Sequence, residues 1–413
     1  MSDTLQSFDP TLYEIIEGER SRQLSTINLI ASENYVSPVV REAMSSVLTH
    51  KYAEGYPGKR YYAGCSEVDK VESMARDRCK KLFNAEHANV QPHAGSQANM
   101  AVYAAVLEPG DTIMGMSLRE GGHLTHGHGV NFSGRFFKSA PYAVDPDTGL
   151  IDYQEVERLA NQHRPKMIIA GASAYSRTID FERFAKIAHS VDAFLLADIA
   201  HIAGLVATGL HPTPVGHADL VTSTTHKTLR GPRGAFALSS PELAQALDRG
   251  VIPGTQGGPF LHAIAAKAVC FELAMQPKFH TYQKNVISNA QELSRAMTER
   301  GYNVVTGGTD NHMFIIDLRA QDITGRAAAI LLEKAGIVVS ASCIPFDPAK
   351  PWITSGIRFG TPAMTTRGMG LQDMHKIAEF VDQAIKAGKD EAALATIKKA
   401  VDLFCNKFPL FVY

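Results

Sequence analysis

The feature that most constrains the fold is a series of short, continuously apolar runs separated by helical patterns. The runs are TIMGM (112–116), MIIAG (167–171), FLLAD (194–198), DLVTS (219–223) and AFAL (235–238). Between two of them, residues 181–190 (FERFAKIAHS) have the apolar spacing of a crossover helix. Apolar strands that alternate with helices are typical of a mainly parallel sheet with both faces covered. The sequence therefore predicts an α/β fold that binds its ligand beyond the carboxyl ends of the strands.

A second region with a different pattern begins near residue 285. It holds a predicted helix at 288–300, strands in NVVTG (303–307) and MFIIDL (313–318), a helix at 325–335, a strand in IVVSAS (337–342) and a long terminal helix at 371–387. This grouping indicates a smaller α+β domain. We expect an amino-terminal arm and large domain over 1–285 and a small domain over 286–413. A helix is also predicted over 68–82, with an apolar stripe formed by Val68, Val71, Met74 and Leu82.

Charge and composition narrow the class of protein. The 413 residues include 41 Lys and Arg and 42 Asp and Glu, for a net charge of −1, which argues against a nucleic-acid-binding surface. No apolar stretch approaches 18 residues, and the start MSDTLQSFDP has no basic or apolar segment, so we predict neither a membrane span nor a signal peptide. The five cysteines are odd in number, scattered and without a CxxC pair, which predicts a reduced cytoplasmic chain.

A carboxylate and an amine follow two neighbouring predicted strands. Asp198 ends FLLAD, and Lys227 follows DLVTS after the run Thr224-Thr225-His226. Parallel strands end at the same edge of a sheet, so both groups are expected there. An amine that forms a Schiff base and a carboxylate that keeps a pyridine nitrogen protonated are what pyridoxal phosphate requires. Taken alone, this pair has a second interpretation, in which the lysine lies at the surface and the aspartate caps a helix.

Two glycine-containing turns have the composition of a phosphate site. Residues 94–99 (AGSQAN) open a helical stretch, so Gly95 and Ser96 would present free backbone N–H groups to an anion. An ordinary N-cap serine explains the same residues. Gly257 and Gly258 form the second turn. No GxGxxG follows a strand and PGKR lacks the P-loop spacing, which excludes both nucleotide signatures.

Three further segments carry side chains suited to catalysis. Arg358, in SGIRFG, has the planar fork that clamps a carboxylate, although a surface ion pair is the alternative. Glu54, in KYAEGYPGKRYY, is either a general acid–base or a solvated loop carboxylate. Three histidines, His123, His126 and His128, would bind zinc, stack on a flat cofactor ring or have no ligand. No Cys or HExxH pattern accompanies them, so we predict no metal.

Eight segments, taken in this order, resemble the serine hydroxymethyltransferase (glycine hydroxymethyltransferase) family. They are LIASENYVSP (29–38), KYAEGYPGKRYY (51–62), EHANVQPHAGSQAN (86–99), GGHLTHG (121–127), DIAHIAG (198–204), VTSTTHKTLRGPRG (221–234), TQGGP (255–259) and TSGIRFGTPA (354–363). The resemblance runs from about residue 7 to the end of the chain. It implies a fold-type-I pyridoxal-phosphate (PLP) enzyme, with a seven-stranded, mainly parallel sheet in the large domain and a small carboxyl-terminal α+β domain.

The resemblance implies roles for matching residues around the cofactor. The residues implied to contact PLP from one subunit are Lys227, Asp198, His201, His123, Gly95, Ser96 and Ser173. Among them, Lys227 would form the Schiff base, Asp198 would pair with the pyridine nitrogen and His123 would stack on the ring. Thr224 joins Lys227 in the implied catalytic set. The residues implied to complete the phosphate site from the partner subunit are Tyr52, Gly257 and Gly258.

Substrate and folate positions follow in the same way. Arg358 would bind the substrate carboxylate, assisted by Ser32. Glu54 of the partner subunit would handle protons at the hydroxyl-bearing carbon, with Tyr62 near it. The implied folate contacts are Leu118, Gly122, Leu124 and Ser342. A site shared in this way implies a homodimer, or a tetramer built from two dimers.

The implied reaction is the reversible transfer of a hydroxymethyl unit between serine and tetrahydrofolate. It gives glycine and 5,10-methylenetetrahydrofolate through an external aldimine and a quinonoid, in cytoplasmic one-carbon metabolism and glycine biosynthesis. The sequence departs from the family pattern at Ala94, where Ser is usual, and over 340–352 (SASCIPFDPAKPW), near the implied folate site. An α-methylserine/D-alanine hydroxymethyltransferase and a folate-independent β-hydroxy-amino-acid (threonine) aldolase therefore remain alternatives. A non-catalytic metal-binding or interaction protein is the alternative from another class.

Overall fold

A seven-stranded sheet forms the centre of the computed structural model, which describes residues 4–410. Its strands, in spatial order, are His87–Asn89, Ala235–Ser239, Leu220–Thr224, Phe194–Asp198, Met167–Gly171, Thr112–Gly115 and Lys138–Ser139. Among the residues that the structure describes, Ala235–Ser239 is the only strand of this sheet that runs antiparallel to its neighbours. All the other pairs of adjacent strands in the sheet are parallel. The predicted α/β fold with a seven-stranded, mainly parallel sheet is confirmed.

The central strands lie close to their predicted positions because nearly all of their residues are buried. The runs at 167–171 and 194–198 have the predicted bounds, and the run predicted at 219–223 is displaced by one residue, to Leu220–Thr224. The crossover helix Phe181–Ser190 also matches its prediction. It begins where the Asp180 side chain accepts a hydrogen bond from the N–H of Arg183, at 2.9 Å, which satisfies one of the free donors of the first turn.

Helices cover both faces of the sheet. They are Ser66–Phe83, Gly95–Val106, Phe132–Phe136, Tyr153–His163, Phe181–Ser190, Ala203–Ala207, Pro241–Val251 and Leu261–Ala274. In the first, the buried positions are Val68, Glu72, Ala75, Cys79 and Phe83. The predicted stripe was wrong at Met74, which is 49% exposed. The predicted stripe advances three residues at a time from Val68 to Met74. Because a helical turn takes 3.6 residues, positions spaced in this way rotate away from the buried face.

A smaller, antiparallel sheet lies in the second region. Its strands, in spatial order, are Asn303–Val304, Met313–Asp317, Gly356–Gly360 and Ser340–Ser342. The helices of this region are Pro277–Glu299, Gly325–Lys334, Pro362–Thr366, Leu371–Ala387 and Glu391–Cys405. Two predictions need correction here. The run IVVSAS is not one strand, because Ile337–Val338 pairs with Ile27–Asn28 instead, and the helix at 371–387 is followed by another rather than ending the chain.

The amino-terminal segment packs against this second region. After helices Leu5–Phe8 and Pro10–Ser25, Ile27 and Leu29 enter the same apolar core as the residues of the smaller sheet. The buried guanidinium of Arg367 donates to backbone carbonyls near both ends of the chain, those of Gln23, Leu24, Thr26, Cys405 and Phe408. The division at residue 285 stays a prediction, and helix Pro277–Glu299 crosses that position without a break.

Shorter elements complete the description. Helix Pro38–Met44 and the hairpin of Gly55–Tyr56 with Lys59–Arg60 precede the large sheet. Short 3₁₀ segments lie at Val47–His50, Leu118–Glu120, Leu124–His126, Val305–Gly307 and Arg319–Gln321. None of the helices formed by residues 4–410 combines the length and the apolar character that crossing a membrane requires.

Candidate active site

A cavity of about 390 Å³ lies beyond the carboxyl ends of the central strands. Asp198 and Thr224 line it from the ends of two neighbouring strands, and Lys227 lines it three residues further on. The other sequence-predicted residues in its wall are Ser32, Gly95, Ser96, His123, Ser173, His201 and Arg358. The structure therefore brings every residue assigned to PLP from one subunit into a single space, which we call the Lys227 cavity.

The carboxylate of Asp198 is held in place by three donors. Its Oδ2 accepts from Nε2 of His126 at 3.0 Å and from Nδ2 of Asn99 at 2.9 Å, and its Oδ1 accepts from the N–H of Ala200 at 3.1 Å. Because Nδ1 of His126 accepts the backbone N–H of His123, the proton of the His126 ring lies on Nε2. Burial alone would raise the pKa of Asp198, but the hydrogen bonds from His126 and Asn99 hold it well below its usual range. Asp198 is therefore anionic.

The amine of Lys227 lies in the same low-dielectric surroundings. The residue is 8% exposed. Burial lowers the pKa of Lys227 to about 8, against the opposing attraction of Asp198, and the positive charges of Arg358 and Arg233 lower it further. A larger fraction of this amine is uncharged near neutral pH than for an ordinary lysine, which is what a nucleophilic amine requires.

Helix Gly95–Val106 begins at the cavity with an uncapped first turn. Ala94 at the N-cap position makes no side-chain hydrogen bond to the helix, so the first N–H groups remain available to an anion. A methyl group at Gly95 would lie 2.8 Å from Cγ2 of Thr224, so the close approach of helix and strand requires glycine here. This helix start is therefore suited to an anion, and the phosphate contact of Gly95 and Ser96 stays a prediction.

Arg358 reaches the cavity from the smaller sheet, in strand Gly356–Gly360. Its Nη1 donates to the backbone carbonyl of Ser173 at 2.6 Å, while its buried Nε has no hydrogen-bond partner. Burial lowers the pKa of Arg358 to about 10. A buried guanidinium with an unpaired N–H is suited to a carboxylate, which would satisfy that donor and its charge.

Two further imidazoles in the cavity are uncharged. Nδ1 of His123 lies 2.7 Å from Oγ1 of Thr125, and burial lowers the pKa of His123 to about 4. Nδ1 of His201 lies 3.2 Å from Nε2 of His312, and burial lowers the pKa of His201 well below its usual value. Across residues 4–410, no three His, Cys, Asp or Glu side chains converge as a metal site would need.

The residues assigned to the partner subunit form a second group, the Glu54 cluster, which consists of Tyr52, Glu54, Tyr62, Gly257 and Gly258. The Tyr52 hydroxyl donates to Oε1 of Glu54 at 3.2 Å, and the Tyr52 and Tyr62 rings meet edge to face at 5.2 Å. A methyl group at Gly257 would lie 3.0 Å from Oε1 of Glu54, and one at Gly258 would lie 2.9 Å from Cζ of Tyr52. None of the five lines the Lys227 cavity.

The four predicted folate contacts also lie outside the wall of the cavity. Leu118 and Leu124 belong to two 3₁₀ segments on either side of Gly122, where a methyl group would lie 2.0 Å from the carbonyl oxygen of Met116. Ser342 ends strand Ser340–Ser342, and its Oγ donates to the carbonyl of Cys343 at 3.1 Å. Their contact with folate stays a prediction.

Several residues of the site were not assigned a role from the sequence. His126 and Asn99 hold Asp198, and the additional side chains in the cavity wall are Glu33, His226 and Arg233. Asn99 is one helical turn after Gly95, which places both on the same face and would have been a usable signal. His126 gave no such signal, because its contact with Asp198 joins segments 72 residues apart.

A comparison with protein families identifies the chain. The model of the family described as Serine hydroxymethyltransferase matches residues 5–381 of the 413. The match includes both the Lys227 cavity and the Glu54 cluster. Enzymes of this family use PLP, with tetrahydrofolate as a co-substrate. The chain therefore belongs to the serine hydroxymethyltransferase family of PLP-dependent enzymes.

Proposed function

We propose that this enzyme transfers a hydroxymethyl unit reversibly from serine to tetrahydrofolate, giving glycine and 5,10-methylenetetrahydrofolate. The observation that carries the proposal is the Lys227 cavity. It combines a buried amine, a buried anionic carboxylate and a guanidinium with an unpaired N–H. These are the groups that a PLP enzyme acting on an amino acid needs for its cofactor and for the substrate carboxylate.

The cavity residues fit PLP by their chemistry. Lys227 would hold the cofactor covalently, and Gly95 and Ser96 would bind its phosphate through the uncapped helix terminus. His201 and Ser173 would contact the ring substituents, and the uncharged His123 would stack on the ring. When bound, PLP supplies the electron sink that makes bond cleavage at the substrate α-carbon feasible.

Asp198 supplies the fixed negative charge of the site. His126 and Asn99 donate to one oxygen of its carboxylate and orient it. The anion would hold the proton on the cofactor's ring nitrogen, which strengthens the electron sink. Thr224, buried beside Gly95, closes the cavity floor between strand and helix. The chain thus contributes orientation, charge placement and exclusion of water.

Arg358 would orient the substrate. Its Nη1 is already bonded to the Ser173 carbonyl, so the guanidinium plane cannot rotate freely, and its unpaired Nε would donate to the substrate carboxylate. Ser32, in the same wall, would donate a second hydrogen bond. A carboxylate bound at this position keeps the α-carbon of the amino acid near the amine of Lys227, where protons are exchanged.

The Glu54 cluster would complete the site of another subunit in a homodimer. Glu54 would accept or donate the proton of the hydroxyl on the substrate β-carbon, and Tyr62 would lie beside it. Tyr52, Gly257 and Gly258 would reach the phosphate of the partner's cofactor. The separation of these residues from the cavity of their own chain supports this arrangement.

The folate contacts and the location complete the proposal. Leu118, Gly122, Leu124 and Ser342 would contact folate. We propose that the enzyme works in the cytoplasm.

Product analysis tests the reaction. We expect the PLP-loaded enzyme to convert serine to glycine rapidly with tetrahydrofolate and much more slowly without it, because the released one-carbon unit then lacks an acceptor. Equal rates with and without tetrahydrofolate, together with cleavage of threonine, would identify an aldolase instead. Faster turnover of α-methylserine than of serine would identify the α-methylserine enzyme.

A further inference from the structure

The backbone carbonyls of the loop that carries Glu54 are held by hydrogen bonds at three consecutive residues. Nη1 of Arg60 donates to the carbonyl of Ala53 at 2.9 Å and to that of Gly55 at 2.8 Å. The carbonyl of Glu54 itself accepts the N–H of Tyr61 at 3.0 Å. Three consecutive carbonyls are therefore fixed around one carboxylate, although Tyr61 is 75% exposed and the loop lies at the surface.

The guanidinium that makes two of these bonds is buried and paired. The Arg60 side chain is 3% exposed. Its Nε donates to Oδ1 of Asp69 at 2.8 Å and its Nη2 donates to Oε2 of Glu72 at 2.7 Å, both on helix Ser66–Phe83. The Glu72 side chain is only 1% exposed. A buried charge is stable only with such partners, so the position of Arg60 depends on Glu72.

The second oxygen of Glu72 extends the network toward the other predicted site segments. Gln91 donates from Nε2 to Oε1 of Glu72 at 2.8 Å and to the Gly55 carbonyl at 2.9 Å. The Gln91 carbonyl accepts from Nε2 of Gln256 at 3.1 Å, and Oε1 of Gln256 accepts the N–H of His93 at 3.0 Å. Gln91 precedes the phosphate-site helix by four residues, and Gln256 directly precedes the Gly257-Gly258 turn.

We propose that Arg60, Glu72 and Gln91 are positioning residues that hold Glu54 where it can act on the substrate hydroxyl. The inference rests on the proposed function, because it takes the role of Glu54 from there. The Glu72 carboxylate connects two segments, because it accepts hydrogen bonds from Arg60 in the Glu54 loop and from Gln91 in the segment that leads to the phosphate site. Its carboxylate therefore sets the Glu54 loop relative to the large sheet, without touching substrate or cofactor itself.

The test compares two reactions of the PLP-loaded, full-length enzyme. Serine cleavage with tetrahydrofolate involves the hydroxyl and Glu54, whereas exchange of a glycine α-proton with solvent involves no hydroxyl-bearing carbon. For Glu72→Gln we expect kcat of serine cleavage to fall about 10- to 100-fold, as small displacements of catalytic groups do. Glycine exchange and the visible absorbance of bound PLP should stay within about twofold of wild type.

A control comes from another ion pair made by helix Ser66–Phe83, whose acidic partner lies on helix Leu261–Ala274. Arg78 forms an ion pair with Glu272, with Nε and Oε2 3.1 Å apart, away from Glu54. The variant Glu272→Gln should leave both reactions within about twofold of wild type. If Glu72→Gln does not fold, Gln91→Leu decides the question: it removes the donor to the Gly55 carbonyl and should lower serine cleavage, relative to glycine exchange, by about 3- to 10-fold.

Each remaining outcome has one meaning. Serine cleavage and glycine exchange that fall in parallel would show that Glu72 is merely structural and would overturn the positioning role. Serine cleavage that stays within about twofold of wild type would overturn it as well. If the wild-type enzyme exchanges the glycine proton but cleaves no serine, the proposed function fails, and that failure is visible before any variant is made.

Discussion

The Lys227 cavity and the Glu54 cluster are built in opposite ways. In the cavity, the side chains themselves are buried and held: Asp198 accepts from two side chains and one backbone N–H, and Lys227 is 8% exposed. In the cluster, the backbone is held firmly through Arg60, while Tyr52 and Tyr62 are 56% and 48% exposed. The difference teaches that the Lys227 cavity is fixed by buried groups within one chain, whereas the Glu54 cluster has a fixed backbone and exposed rings, as the proposed contact with a second chain would require.

The strongest test of this contrast combines two inactive variants in one dimer, one altered in the Lys227 cavity and one in the Glu54 cluster. We expect Lys227→Ala and Glu54→Gln each to lower serine cleavage at least about 100-fold, since each loses a group that reacts or transfers protons. Coexpressed with different tags and purified as a mixed dimer, they should recover about half of the wild-type activity. One site of that dimer would combine the intact Lys227 of one chain with the intact Glu54 of the other.

The control for this experiment pairs two variants of the same cavity. A mixed dimer of Lys227→Ala and Asp198→Asn has a damaged cavity in each chain and should stay as inactive as its parents. If the mixture of Lys227→Ala with Glu54→Gln also stays inactive, Glu54 does not serve a partner's site, and the contrast between the two regions has no functional meaning.

A smaller effect is expected for substrate binding in the cavity. Arg358→Ala should raise KM for serine about 30-fold or more, corresponding to at least about 2 kcal/mol for a buried charge pair that is lost. PLP affinity, measured by titration of the visible absorbance, should change by less than about threefold. The exposed Arg319, paired with Asp317 in the same region, provides the control Arg319→Ala. An unchanged KM would refute the carboxylate clamp.

The smallest expected effect is on stability. The pKa of Asp198 is lowered in the folded state, so its contribution is present above its unfolded pKa of about 3.9 and is lost as pH falls through the lowered value. The unfolding free energy of the PLP-free wild type, relative to Asp198→Asn, should therefore decrease by about 1 kcal/mol between pH 7 and pH 3. Urea denaturation at both pH values measures this, and a difference that does not shrink would mean that Asp198 is not held anionic.

Local signals were sufficient for the parts of the fold that depend on neighbouring residues. Strand Phe194–Asp198 and helix Phe181–Ser190 lie where the apolar run and the apolar spacing predicted them. The run IVVSAS failed because its first half pairs with Ile27–Asn28, more than 300 residues earlier, and no local pattern encodes that partner. The group of residues in the Lys227 cavity was predicted, but the donors to Asp198 were not.

By itself, the sequence determined the type of fold, the order of the site segments and the chemical groups that meet at the strand ends. Apolar runs must be buried, and parallel strands end at a common edge, so these features follow from short-range patterns. The tertiary structure alone decided that His126 donates to Asp198, that the pKa of Lys227 falls to about 8, and that Glu54 stands apart from the cavity. Those properties depend on burial and on contacts between distant segments, which exist only once the chain has folded.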